Sequence, residues 1–184
     1  TPVVENMPSG TAIRPGDILH MRNGKTIEVI NTDAEGRLIM ADALAFASES
    51  KPDIICDVAT LTGAAYVALG VEIGAVFSNN KVTLDSFLNS NNDGFENYHS
   101  LPLEQSYKSQ IKSNIADMKN SGGRFGGAIT AALLLEEFVD DLDWVHLGIA
   151  GPARSRSNNP ISPEGGTGFG VLGYFNFLAN EANG

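Results

Sequence analysis

Three residues within five positions could do chemistry together: Asp33, Glu35 and Arg37, in the stretch "EVINTDAEGRLIMADAL" at 28–44. Two carboxylates two residues apart on an irregular loop can aim at one point, or one of them can bridge two ions. Oxygen-rich ligand sets suit Mg²⁺ or Mn²⁺, and Zn²⁺ also accepts carboxylates. Two such ions about 3.5–4 Å apart can bind a nucleophilic hydroxide and polarise a carbonyl. Arg37 could then hold an anion or a developing oxyanion. A plainer reading stands beside this one. Thr32-x-x-Glu35 fits a capping box, and Asp33 would add favourable charge to the first helical turn. Gly36 and Arg37 fit that reading poorly. Glycine weakens a first turn, and a cation there opposes the helix dipole.

Other chemistry-bearing residues are less organised. His20, His99 and His146 are scattered, with no H-x-x-x-H spacing, and structural roles are expected for them. There is no G-x-S-x-G elbow. Cys56, the single cysteine, lies in the apolar run "DIICDVATL" with no histidine near it in sequence. It reads as a small core residue and cannot form an internal disulfide. "GGRFGG" at 122–127, with Arg124, lacks the Walker lysine and does not match G-x-G-x-x-G. It reads as a helix entry turn rather than a phosphate cradle. "GGTGFG" at 165–170 reads as a flexible rim.

The elements that would position these residues alternate. Asn23-Gly24 between "DILHMR" and "KTIEVI" predicts a hairpin closed by a type I′ turn, with φ > 0 twice. Met40, Ala43, Leu44 and Ala47 predict the apolar face of a helix over 37–50. The run 53–61 reads as a strand buried on both faces. A small-residue helix at 62–70, a strand at 72–78 and a polar helix at 84–94 follow. Residues 100–123 carry no clear period. A strong helix at 128–142, a strand at 144–151, a turn-rich loop at 154–168 and a closing helix at 169–180 complete the chain. Strands alternating with helices predict an α/β fold, three-layered, with a mixed, largely parallel central sheet flanked by helices. Ligands of such sheets bind beyond the carboxyl ends of strands, where loops 31–36, 59–63 and 150–168 fall.

The 184 residues suffice for one domain or a substantial piece of a larger one. Charged residues make up 18 %, below the roughly 25 % usual for soluble domains, which suggests that part of the surface meets other protein. A net charge of −10 argues against nucleic-acid binding. No apolar run reaches the ~18 residues of a membrane span. The start "TPVVENMPSG" has neither initiator Met nor signal pattern and reads as the middle of a protein.

"NTDAEGRL", with "ADAL" behind it, closely resembles the signature of the leucine aminopeptidase (cytosol aminopeptidase) family. The resemblance continues through "VVENMPSGTAIRPGDI", "NGKTIEV", "ATLTGAAYVALG", "GGRFGGAITAA" and "GTGFGV", and covers essentially the whole chain. It implies that residues 1–184 are the C-terminal part of the catalytic domain, without the N-terminal domain and the upstream catalytic segment. It also implies two divalent metals (Mn or Zn, with Mg as an alternative), a bound bicarbonate acting as base, and removal of an N-terminal residue, leucine preferred, from a peptide. A cytoplasmic hexamer with the catalytic domains inside is implied as well. Carried over, Asp33 would ligate one metal, Glu35 would bridge both, and Arg37 would be the catalytic arginine. Thr60, Leu61 and Gly63 would line the substrate site, with the carbonyl of Leu61 accepting a hydrogen bond, and Ala150 would line the side-chain pocket. Core and turn packing is the plain alternative for these four.

The chain also departs from the pattern. The family's other metal ligands, a lysine and two aspartates, precede "VVENMPSG", as does its second catalytic lysine. Two protein residues cannot fill two coordination spheres. The chain alone is therefore expected to be inactive and, with apolar edges uncovered, prone to associate. Gly148 stands where many members carry an acidic residue. The rival readings are a catalytically silent oligomer-assembly module and, with less support because the 22 acidic residues are dispersed, an acidic metal-storage domain.

Overall fold

In the computed structural model, which describes residues 1–92, 94–158 and 163–182, strands β1 (Ile18–His20) and β2 (Thr26–Glu28) pair antiparallel around Asn23-Gly24. The hairpin is as expected, but its turn is not type I′. Gly24 alone has positive φ, +87°. Its N–H donates to Met21 O (2.9 Å), and Met21 N donates to Lys25 O (2.8 Å). That is a type I turn closed by a left-handed glycine, the three-residue loop. Arg22 is drawn out of the ladder: its N–H donates to Asp42 (2.9 Å) and its guanidinium pairs with Glu49 (2.7 Å).

The residues fall into two compact units, 1–55 with 103–142 and 56–102 with 143–184. In the first unit β6 (Met118–Lys119) adds parallel to β2. Helix α1 (Gly36–Ser48) packs against α4 (Gly127–Glu136). The buried face of α1 is Arg37, Leu38, Ala41, Leu44, Ala45 and Ser48, about one residue round from the expected stripe, with only Leu44 in common. Ser48 explains part of the difference. Its hydroxyl donates to Phe138 O (3.1 Å), so a polar residue faces inward. Helix α4 is buried almost all round, as its unbroken apolar sequence demands. It stops at Glu136 rather than 142: the N–H groups of Glu137, Phe138 and Val139 donate three residues back, to Leu134, Leu135 and Glu136, and Asp140 then takes a left-handed φ of +50°. A 3₁₀-helix, Gln105–Ile111, occupies part of the stretch without period.

The second unit holds a four-stranded sheet in the order β3 (Ile54–Ala59), β7 (Asp143–Gly148), β4 (Ile73–Ser78), β5 (Asn97–Ser100). β4 runs parallel to β5 and antiparallel to β7, so the expected mixed sheet is present. β3 is not buried on both faces; it lies at the sheet edge with Val58 exposed. Helix α2 (Gly63–Leu69) packs on β4, and α3 (Lys81–Ser90) packs on β4, β7 and α5 (Val171–Glu181). Helix α3 starts three residues before the expected position because Asn80 caps it, accepting from Val82 N (2.8 Å). Phe87 is fully buried, its ring edge-on to Tyr98, Tyr174 and Phe177 at 5.0–5.8 Å. Within 154–168, β8 (Arg154–Ser155) pairs with β9 (Gly165–Gly166); residues 159–162 of that loop lie outside the described residues.

Candidate active site

β2 and β6 deliver the first group of candidate residues. Asn120 follows β6 directly, and its N–H donates to Glu28 O (2.9 Å), which continues the parallel ladder. Its fully buried side chain reaches the segment after β2. Oδ1 accepts from Ile30 N (2.9 Å) and Asn31 N (3.2 Å), and Nδ2 donates to Asn31 O (2.6 Å) and Ala34 O (3.4 Å). Asn31 Oδ1 accepts from Asp33 N (3.0 Å), and Asn6 Nδ2 donates to Thr32 O (3.1 Å). The loop that carries Asp33 is thus held at nearly every residue.

The capping box does not form. Glu35, itself helical, is the N-cap of α1, with no side-chain cap. The Asp33 carboxylate is exposed on the loop. Oε2 of Glu35 and Nε of Arg37 are, among the described residues, the buried side-chain N and O atoms without a hydrogen-bond partner. Each such atom costs about 1–3 kcal/mol if nothing satisfies it. Arg37 is only 8 % exposed, and burial lowers its pKa to about 10, with Glu35 pulling the other way. At neutral pH it keeps its charge. A bare carboxylate oxygen suits a cation and a bare guanidinium N–H suits an anion, so the residues present fit a metal with an anion beside it. No group of three or more His, Cys, Asp or Glu that could hold a metal occurs among the described residues. Asp33 and Glu35 by themselves would make part of a ligand set, not a whole one.

The second group lies in the other unit. Thr60 and Leu61 form the turn after β3, Thr62 caps α2 by accepting from Ala65 N (3.4 Å), and Gly63 is the first residue of α2. Ala150 follows β7. Ile149 N donates to Ala59 O (2.9 Å), which sets the turn at 60–63 beside 150–151. Thr60 and Gly63 are exposed, Leu61 and Ala150 half-buried, so core packing does not account for the first two. Gly151 lies so near α2 that a Cβ on it would meet Gly70 O at 2.0 Å. Beneath this edge Asp57 binds His146 Nδ1 (2.5 Å) and accepts from Trp144 Nε1 (2.6 Å), while its carbonyl accepts from the Tyr174 hydroxyl (2.5 Å). His146 is therefore engaged structurally, as expected. This network and Asn120 both escaped the sequence reading; an Asp and a His that pair across 89 residues leave no local signature.

Cys56 is half-buried, and burial, with Asp57 and Glu181 adding to it, pushes its thiol up to about 12. It is inert at neutral pH. The 122–127 loop enters α4 through Gly126 at φ +67°, as an entry turn does. The 165–170 loop is held at its end by Glu96, which accepts from Gly170 N (2.8 Å) and Gly173 N (2.7 Å). Among the described residues no helix is long and apolar enough to cross a membrane.

Residues 1–173 match the cytosol aminopeptidase family, catalytic domain. A probable cytosol aminopeptidase of Syntrophotalea carbinolica is 51 % identical over 180 residues, 98 % of this chain and 36 % of that protein. One from Synechococcus sp. (strain CC9902) is 50 % identical over 179 residues, 97 % of this chain and 36 % of that protein. Among solved structures, a mutant of tomato leucine aminopeptidase superposes with TM-score 0.89 at 44 % identity, over 96 % of this chain and 34 % of that one. The bottromycin maturation enzyme BotP in complex with Mn gives TM-score 0.93 at 38 % identity, over 98 % and 41 %. The chain spans about 36 % of the length of these curated relatives. With its fold and nearly its whole length in agreement with them, the chain belongs to the cytosol aminopeptidase family, within the catalytic domain.

Proposed function

We propose that the 184 residues are the C-terminal part of the catalytic domain of a metal-dependent aminopeptidase that removes N-terminal residues, leucine preferred, from peptides. The observation that carries this is the pair of orphaned buried atoms, Glu35 Oε2 and Arg37 Nε, on the loop with Asp33. Asp33 and Glu35 would hold two divalent ions, Mn or Zn, with Glu35 shared between them. When bound, such ions supply Lewis acidity toward a peptide carbonyl and a nucleophile at neutral pH. Arg37 stays protonated and holds an anion, a bicarbonate or the developing oxyanion, in a dry site where its charge acts strongly. Leu61 O accepts from the substrate, Thr60 and Gly63 flank it, and Ala150 limits the side-chain pocket. The upstream domain and ligands belong to the parent protein, which works as a cytoplasmic hexamer, as the relatives' name and the low charged content support. Asp33 and Glu35 do not make a full ligand set among the described residues, and the chain alone does not turn over peptides.

The test is an equilibrium Mn²⁺ titration of the purified chain, read by the EPR signal of the free ion. Saturable binding, weakened at least about tenfold in Asp33→Asn and in Glu35→Gln, is expected. Binding that neither variant alters overturns the metal assignment. Hydrolysis of a leucyl p-nitroanilide by the metal-loaded, contaminant-free chain overturns the claim that it is silent alone.

A further inference from the structure

Asn120 stands 86–90 residues away in sequence from every backbone group that its side chain binds in the 30–34 segment. A carboxamide has two acceptor sites and two donor hydrogens. Here all four are spent on that one segment: two N–H groups on the oxygen side, two carbonyls on the nitrogen side. The partners also fix which end is oxygen, since N–H groups face one and carbonyls the other. Asp33 lies between the clamped residues Asn31 and Ala34, and Glu35 follows directly.

Such a clamp does more than hold a loop. Two carboxylates meant for one cation repel each other while the cation is absent. A free loop would relax so as to part them, and the ion would then have to draw them together at the expense of its affinity. A backbone fixed in advance removes that cost. Aspartate at 120 would keep the acceptors and set a carboxylate against Asn31 O and Ala34 O. Glutamine would displace the amide by one methylene. Only asparagine matches both the reach and the pattern.

We infer that Asn120 is a positioning residue for the metal-facing loop, fixing the 30–34 backbone so that Asp33 and Glu35 are presented together before any ion arrives. The inference rests on the metal reading above, and two readouts separate their failures. In Asn120→Ala, amide hydrogen exchange at Ile30 and Asn31 is expected to accelerate about a hundredfold or more while the amides of Leu133–Leu135 in α4 stay within about threefold. Mn²⁺ affinity, scaled to the folded fraction, is expected to fall at least about tenfold. Faster exchange with affinity within twofold of the unaltered chain means a merely structural asparagine and overturns the inference, as does unchanged exchange at Ile30 and Asn31. If the unaltered chain binds no Mn²⁺, the metal reading fails by itself, and with it a loop role in metal binding. Where Asn120→Ala does not fold, Asn120→Asp, which loses the donor side alone, is judged by the same two measurements.

Discussion

Arg37 keeps its positive charge at 8 % exposure with Nε unpartnered, a state that costs the fold something. Its pKa, lowered by burial to about 10, means that the cost is present at every pH below about 10 and is relieved as pH climbs from there toward the ordinary arginine value. The residue is retained against stability, as a group waiting for an anion would be. Arg37→Met is therefore expected to raise the urea midpoint of the chain, by the equivalent of about 1 kcal/mol, and to remove any stabilisation by added bicarbonate in thermal unfolding. Gly151 makes the opposite case. With Gly70 O at 2.0 Å from the place of a Cβ, Gly151→Ala should cost about 1–3 kcal/mol in the same urea assay and disturb the turn beside Ala150.

Among elements, Glu137 at the end of α4 ties three together. Its carboxylate binds Lys25 in the hairpin (2.5 Å) and Lys108 in the 3₁₀-helix (2.6 Å). Burial works to raise its pKa, but the hydrogen bonds and charges of Lys108 and Lys25 prevail and hold it below the ordinary value. A carboxyl depressed in the folded state stabilises above the unfolded pKa, about 4.3, and loses that contribution as pH falls through the folded value. Glu137→Gln should then cost about 1 kcal/mol at pH 7, discounted because both lysines are more than one-third exposed, and progressively less as pH is lowered below about 4, as urea titrations at a series of pH values would read. The hairpin, α2, β4 and the 122–127 entry turn were legible because their signals are local: a glycine, a cap, a short apolar run. The capping box at Thr32 was a false local signal, since Asn120, Asn31 and Asn6 had already taken the loop's backbone. Asn120 itself was invisible, because only the pairing of β2 with β6, about ninety residues apart, gives it a partner. For the candidate site, the types and spacing of Asp33, Glu35 and Arg37 could be read directly; the burial that orphans two of them could not.

On the scale of the whole chain, α5 leaves an apolar stripe in water: Val171 at 72 %, Phe175 at 68 % and Leu178 at 44 % exposure, spaced four and three apart. Contiguous exposed apolar surface favours association, and a net charge of −10 opposes it only weakly at physiological salt. Phe175→Lys is expected to shift the chain toward monomer in size-exclusion chromatography with light scattering, while the unaltered chain grows in mean mass with concentration. The hydrogen bond from the Trp144 indole to Asp57 has a consequence for how unfolding can be watched. Trp144 is the single tryptophan, fully buried, and it belongs to the second unit. Its fluorescence is thus a local gauge of the second unit, whereas far-ultraviolet circular dichroism sums the helices of both. Denaturation curves from the two signals coincide if the units melt as one, and part if they do not.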